Sequence, residues 1–309
     1  MRQRLEVKDL TGRIISLSRR VGVLYLIAFL CTASIISKRN FRADRLDYLK
    51  PPLVKLVKIS QGQESARPEI LEPYIEFYEK VNEYAGSGAD ILAVLGFCCY
   101  YYGDEEKAIS FYEKAVVLDP GCLWPQYNLG VIYFKKGFYS KAADSLEQAL
   151  SIPPDVTAKS LYASFIYWQL MKEAKVLDGS IAVGIKEGYE GCYRLLMLSY
   201  QKLQDYQKML NLALYATKSV PDSKDFFYYY AGFAAYQLKE YRQAVYFLLE
   251  SLRINPRQAD VLQYLGLSYG ELGEKRDSED ALARALGLRR SNPQESPAQT
   301  EKNINVRLF

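Results

Sequence analysis

Small and large apolar residues alternate with polar ones in this 309-residue chain in a pattern that repeats itself. Leu95-Gly96 returns as Leu129-Gly130, Ala108 as Ala142, Ala115 as Ala149 and Pro120 as Pro154, each pair 34 residues apart. Ala231-Gly232 and Leu265-Gly266 are separated by the same 34. A fixed period of this length predicts stacked pairs of helices, because a single pair cannot bury its apolar face alone. Ahead of the array, Ile75, Tyr78 and Val81 fall on one side of a helix over 72–84, placed to cap the stack.

Each position in the period has a physical role. Gly96, Gly130, Gly232 and Gly266 allow the two helices of a pair to approach closely, and Ala108, Ala142 and Ala244 do the same from the second helix. Gly103, Gly137 and Gly273 fall between the helices, where a helix C-terminus favours a left-handed residue. Pro120, Pro154 and Pro256 end the second helix. The pattern weakens in the middle. Pro154 to Pro221 spans 67 residues, one short of two periods, and Met197 and Met209 stand where small residues are expected. The stretch 157–190 keeps Ala163-Ser164 and Tyr167, and its second half, with Gly179, Gly184 and Gly188, is expected to be the least helical part, carrying only a short second helix.

Residues 89–154 closely resemble tandem tetratricopeptide repeats (TPR). The first unit has Leu92, Leu95-Gly96, Ala108, Tyr112, Ala115 and Pro120; the second has Leu129-Gly130, Tyr133, Ala142, Leu146, Ala149 and Pro154. Later units match with Tyr228, Ala231-Gly232, Ala244, Leu248 and Pro256, then with Leu265-Gly266, Tyr269, Leu282 and Ala285. The resemblance implies an all-α, right-handed superhelical solenoid of helix-turn-helix units, about six of them over 89–290, with 157–190 a degenerate one.

The rest of the chain divides by composition. Residues 1–20 form a basic tail and 21–37 read VGVLYLIAFLCTASIIS, seventeen residues without a charge, flanked by Arg19-Arg20 and Lys38-Arg39. Seventeen residues reach about 26 Å as a helix, a little short of a bilayer core, and the flanking cations can snorkel. The expectation is a retained transmembrane helix; a cleaved signal peptide, with a poor site at Cys31-Thr32-Ala33, and a buried helix are the alternatives. Four Lys/Arg in 6–20 face five in 38–52, so charge does not set the orientation. A short tail favours repeats on the periplasmic side of a bacterial inner membrane. Residues 38–68 read as a neck, 69–88 as the capping helix, and 291–309 as a mostly disordered tail.

Residues 1–50 carry eleven Lys/Arg and four Asp/Glu, net +7, so the remainder of the chain is net −3. The repeats therefore lack the basic excess of a nucleic-acid binder, and the basic segment suits a membrane surface. Histidine is absent, which removes Ser-His and Cys-His dyads. No C-x-x-C, P-loop or dinucleotide glycine pattern occurs, and the five cysteines read as small apolar packing residues. No catalytic site, metal, cofactor or small-molecule substrate is expected.

In this family, ligands usually lie in the groove lined by the first helix of each unit. By register the resemblance places there Phe97, Tyr100 and Tyr101; Trp124, Tyr127, Val131 and Phe134; Leu161, Phe165 and Trp168; and Phe226, Tyr229, Phe233 and Tyr236. The aromatic residues among them are the candidate partner-binding residues. They serve either as core between neighbouring units or as an exposed recognition surface. Asn128 and Lys135 are near the positions with which chaperone-binding members clamp a terminal carboxylate, but the groove around them is apolar, which disfavours that ligand. The chain thus reads as a non-enzymatic membrane-anchored scaffold that holds an apolar helix or extended segment of another protein. A structural part of a large envelope assembly (secretion, pilus or flagellar machine) and a periplasmic or translocon-associated chaperone are the competing readings.

Overall fold

Five turns of one kind organise the array. At each, the first helix of a pair ends in a left-handed residue, and an amide just beyond it donates back to a carbonyl five residues earlier. The bonds are Asp104 N to Cys99 O at 2.8 Å, Phe138 N to Tyr133 O at 2.9 Å, Asp205 N to Tyr200 O at 3.0 Å, Glu240 N to Ala235 O at 2.9 Å and Glu274 N to Tyr269 O at 2.9 Å. Glycine takes the left-handed position in three of them: Gly103 with φ 100°, Gly137 with 79° and Gly273 with 81°. Gln204 with φ 57° and Lys239 with 62° do the same without glycine's freedom.

These observations come from a computed structural model that describes residue 65 and residues 67–85, 88–157 and 180–291. The chain divides into two units, Met1–Val54 and Lys55–Phe309, and all described residues belong to the second. A single helix, α1 (Pro68–Ala85), is followed by five hairpins. They are α2 (Ala89–Tyr102) with α3 (Glu105–Leu118), α4 (Leu123–Lys135) with α5 (Tyr139–Ser151), α6 (Ser180–Leu203) with α7 (Tyr206–Ser219), α8 (Lys224–Gln237) with α9 (Tyr241–Ile254), and α10 (Ala259–Glu271) with α11 (Lys275–Ser291). The described residues contain no strand. Asp104 and Asp205 cap the second helices α3 and α7, accepting from the amides of Lys107 and Lys208, each at 3.1 Å.

The expected close approach within a hairpin is present. A Cβ on Gly96, Gly130, Gly232 or Gly266 would lie 2.9, 2.6, 2.5 or 2.6 Å from Tyr112, Leu146, Leu248 or Leu282 of the partner helix. The third hairpin exchanges the sizes. Met197 stands in the glycine register and Ala213 in the register of the large residue, and both are fully buried. The pairing of one small and one large residue is kept, with the two helices trading roles.

Helix α1 packs on α2, and its Leu71 and Tyr78 are fully buried. The middle of the array differs from expectation. The glycines at 184 and 188 do not mark a poorly helical stretch; they lie inside α6, a 24-residue helix. Helix α6 packs directly on α5 and α4, in the place the next unit of a stack occupies. The part of 157–190 described from Ser180 onward is therefore the start of a hairpin, and the described residues contain five hairpins of the array. Residues 158–179, the N-terminal segments 1–20, 21–37 and 38–64, and residues 292–309 lie outside the described residues. Among the described residues no helix is long and apolar enough to cross a membrane.

Candidate functional site

The first helices of the hairpins present the aromatic positions singled out by the repeat register, and packing sorts them into two groups. In the first two hairpins half of them, Phe97, Trp124 and Tyr127, are core. Phe97 is buried, with its ring 4.6 Å from that of Tyr101. Trp124 and Tyr127 of α4 are buried as well, at 6% and 3% exposure. The cause is α6. A Cβ on Gly188 would stand 2.4 Å from Trp124, and one on Gly191 would stand 3.0 Å from Tyr127. The absence of side chains at Gly188 and Gly191 lets α6 lie close against α4 and cover the indole and the phenol. Burial pushes the Tyr127 phenol above its ordinary range.

Tyr100, Tyr101 and Phe134 are half-buried. Tyr100 is already engaged: its hydroxyl accepts from Lys135 Nζ at 2.7 Å, and the same ammonium sits 5.2 Å from the ring centroid. Asn128, the other residue near the carboxylate-clamp positions, is 1% exposed. Phe165 and Trp168, with Leu161, lie outside the described residues.

The fourth and fifth hairpins differ. Phe233 is buried, but Phe226, Tyr229 and Tyr236 of α8 are half-buried. Arg194 of α6 stacks on Phe226, its guanidinium carbon 4.1 Å from the ring centroid. It is held there by Glu190 at 2.9 Å and by Ser223 Oγ at 2.9 Å. Tyr264 of α10 is the hub of the remaining rings, 4.9 Å from Phe233, 5.6 Å from Tyr236 and 6.3 Å from Tyr229. Tyr206 lies 6.0 Å from Phe233, and Tyr241 5.7 Å from Tyr236. Burial, then the neighbouring Asp260, raises the Tyr264 phenol.

Register reasoning missed Tyr264, Tyr206, Tyr241 and Arg194. Tyr264 directly precedes Leu265-Gly266, a position not counted among the groove aromatics. Its counterpart one period earlier, Tyr230, is buried, so position in the repeat carries no signal that Tyr264 is half-exposed. Arg194 was obscured by the irregular spacing between Pro154 and Pro221.

The described cysteines, Cys98, Cys99, Cys122 and Cys192, are free and buried. Burial, then the Asp104 carboxylate, pushes the Cys99 thiol up to about 11, so these are packing residues rather than nucleophiles. No group of three or more metal-ligating side chains occurs among the described residues.

The tetratricopeptide repeat family model matches residues 89–122 and 126–156, which are the first two hairpins. TPR repeat-containing protein MJ1428 of Methanocaldococcus jannaschii is 21% identical over 211 residues, covering 66% of this chain and 33% of that protein. BBSome complex member BBS4 of Bos taurus is 24% identical over 204 residues, covering 65% of this chain and 38% of its own length. The chain thus spans little more than a third of these curated relatives. Among solved structures, YrrB, a TPR protein with an unusual peptide-binding site, superimposes with a TM-score of 0.51 at 17% identity, over 73% of this chain and 97% of that one. A MamA protein does so with a TM-score of 0.50 at 18% identity, over 67% and 95%. The sequence match to the tetratricopeptide repeat model covers the first two hairpins, and over most of the array the chain shares the all-α helical-repeat fold of these structures.

Proposed function

We propose that this chain is a non-enzymatic scaffold that holds a segment of another protein against the first helices of its fourth and fifth hairpins. The observation that carries the reading is the set of half-exposed rings of Tyr229, Tyr236 and Tyr264, in contact across two successive first helices, with Phe226 half-exposed on the same helix α8. Aromatic side chains of this kind offer large contact area at small conformational cost, which is why they dominate binding hot spots. YrrB, of similar fold, has a peptide-binding site. The equivalent face of the first two hairpins contributes less, since Trp124 and Tyr127 are under α6. Residues 21–37 anchor the scaffold in a bilayer, with the repeats on the periplasmic side, which makes the captured protein a membrane-proximal one.

The test is site-specific photo-cross-linking in the full chain in its native membranes. A benzophenone amino acid at Tyr236 is expected to give a discrete adduct that is lost when Tyr264 is changed to alanine. The same probe at Val117, 78% exposed and away from this face, is expected to give none. Equal labelling at both positions, or none at Tyr236, overturns the reading. Deleting residues 1–40 is expected to release the repeats from membranes; persistent membrane association overturns the anchor.

A further inference from the structure

Several rings along this array are covered by a cation of the chain itself. Lys135 lies over Tyr100 at 5.2 Å, Arg194 over Phe226 at 4.1 Å, Lys208 over Tyr200 at 5.5 Å and Lys141 over Tyr133 at 5.5 Å. A cation over a ring face is attracted by the ring quadrupole, and more strongly where water is partly excluded. Around Tyr236, Tyr241 and Tyr264 the rings are packed against one another, and among the described residues no cation lies over any of them.

The charges nearby are arranged to match. Two carboxylates border the cluster, one at each end of α10. Asp260 is neutralised: Arg289 Nη2 donates to it at 2.8 Å and to Gln263 Oε1 at 2.5 Å. Glu271, at the other end, is exposed and forms no ion pair among the described residues. It lies beside the hydroxyl of Tyr241, whose phenol is raised first by desolvation and then by that carboxylate. One end of the cluster thus resembles the neutralised sites elsewhere in the array. At the other end Tyr241, whose ring packs against that of Tyr236, lies beside a carboxylate with no cation of its own.

We propose that Tyr236, Tyr241, Tyr264 and Glu271 form a subsite for a basic side chain of the captured segment, arginine foremost. The guanidinium would stack on the tyrosines as Arg194 stacks on Phe226, with Glu271 as its counter-charge. The inference rests on the reading of this face as the partner-holding one and adds the chemistry of the residue it holds.

The test measures fluorescence anisotropy of a labelled, doubly capped peptide, Gly-Leu-Arg-Leu-Gly, with the full chain in detergent. The control peptide carries citrulline, of the same shape but uncharged, in place of arginine. The arginine peptide is expected to bind about tenfold more tightly, the scale of a partly desolvated cation–ring contact. Glu271→Gln is expected to reduce that preference to about threefold or less while leaving citrulline-peptide binding unchanged, and Tyr236→Leu with Tyr264→Leu to abolish it. Unchanged thermal unfolding of Glu271→Gln, an exposed position, separates lost binding from lost fold. Equal binding of both peptides, no binding of either, or a preference that survives Glu271→Gln overturns the subsite. A cross-link at Tyr236 with no arginine preference would leave the scaffold reading standing and remove only this one.

Discussion

Trp124 and Tyr127 of the second hairpin share their register with Phe226 and Tyr229 of the fourth, yet packing treats them differently, whereas Phe134 and Tyr236, also in register, are both half-buried. Trp124 and Tyr127 in α4 are buried because α6, the next first helix in the stack, brings Gly188 and Gly191 against them. Tyr229 and Tyr236 in α8 meet Tyr264 of α10 instead, and a tyrosine at that contact holds the surface half-open. The comparison shows that burial of a repeat position is decided by what the following unit presents to it. A glycine there seals the aromatic into the core, whereas a ring leaves it accessible to a partner.

The sharpest way to break that comparison is to remove one aromatic from each side. Trp124→Ala is expected to destabilise the array by about 3–5 kcal/mol, the usual cost of emptying a buried aromatic site. Tyr236→Ala should cost no more than about 1 kcal/mol, as for a partly exposed position, while removing the cross-link to partner. Equal losses in urea unfolding would mean that both faces are core. A smaller effect probes the third hairpin, where small and large residues have traded helices. Ala213→Leu should cost about 1–3 kcal/mol through overpacking against the buried methionine register. Met197→Gly introduced together with it should recover a measurable part of that loss, because the double variant restores the arrangement of the other four hairpins. Strict additivity of the two changes would show that the positions do not share a space. Smallest is the turn between α8 and α9. Lys239 holds a φ of 62°, so Lys239→Gly is expected to gain about 1 kcal/mol, and Gly137→Ala, at the matching turn of the second hairpin, to lose a similar amount. No gain at Lys239 would show that neighbouring contacts already offset the strain.

Much of the fold was legible because it is written locally. The Gly103, Gly137 and Gly273 turns, the Gly96–Tyr112 and Gly130–Leu146 approaches and the helix ends near Pro120 and Pro256 involve residues within one period of each other. The helix α6 was not. Gly184 and Gly188 lower its intrinsic propensity, and contact with α4 and α5 overrides that weak local preference. The candidate site was half legible: register located Phe226, Tyr229 and Tyr236 but could not separate them from Trp124 and Tyr127, and it passed over Tyr264 and Glu271 altogether.

The sequence by itself determined that helices pair, where each pair turns and which positions face along the first helices, because these depend on glycine, proline and apolar periodicity over short separations. Only the tertiary structure decided which of those faces are open. That depends on the side chain that the next hairpin brings to each ring: Gly188 against Trp124 in one case, Tyr264 beside Tyr236 in the other. Such contacts join units through their stacking geometry, and no single hairpin contains both partners.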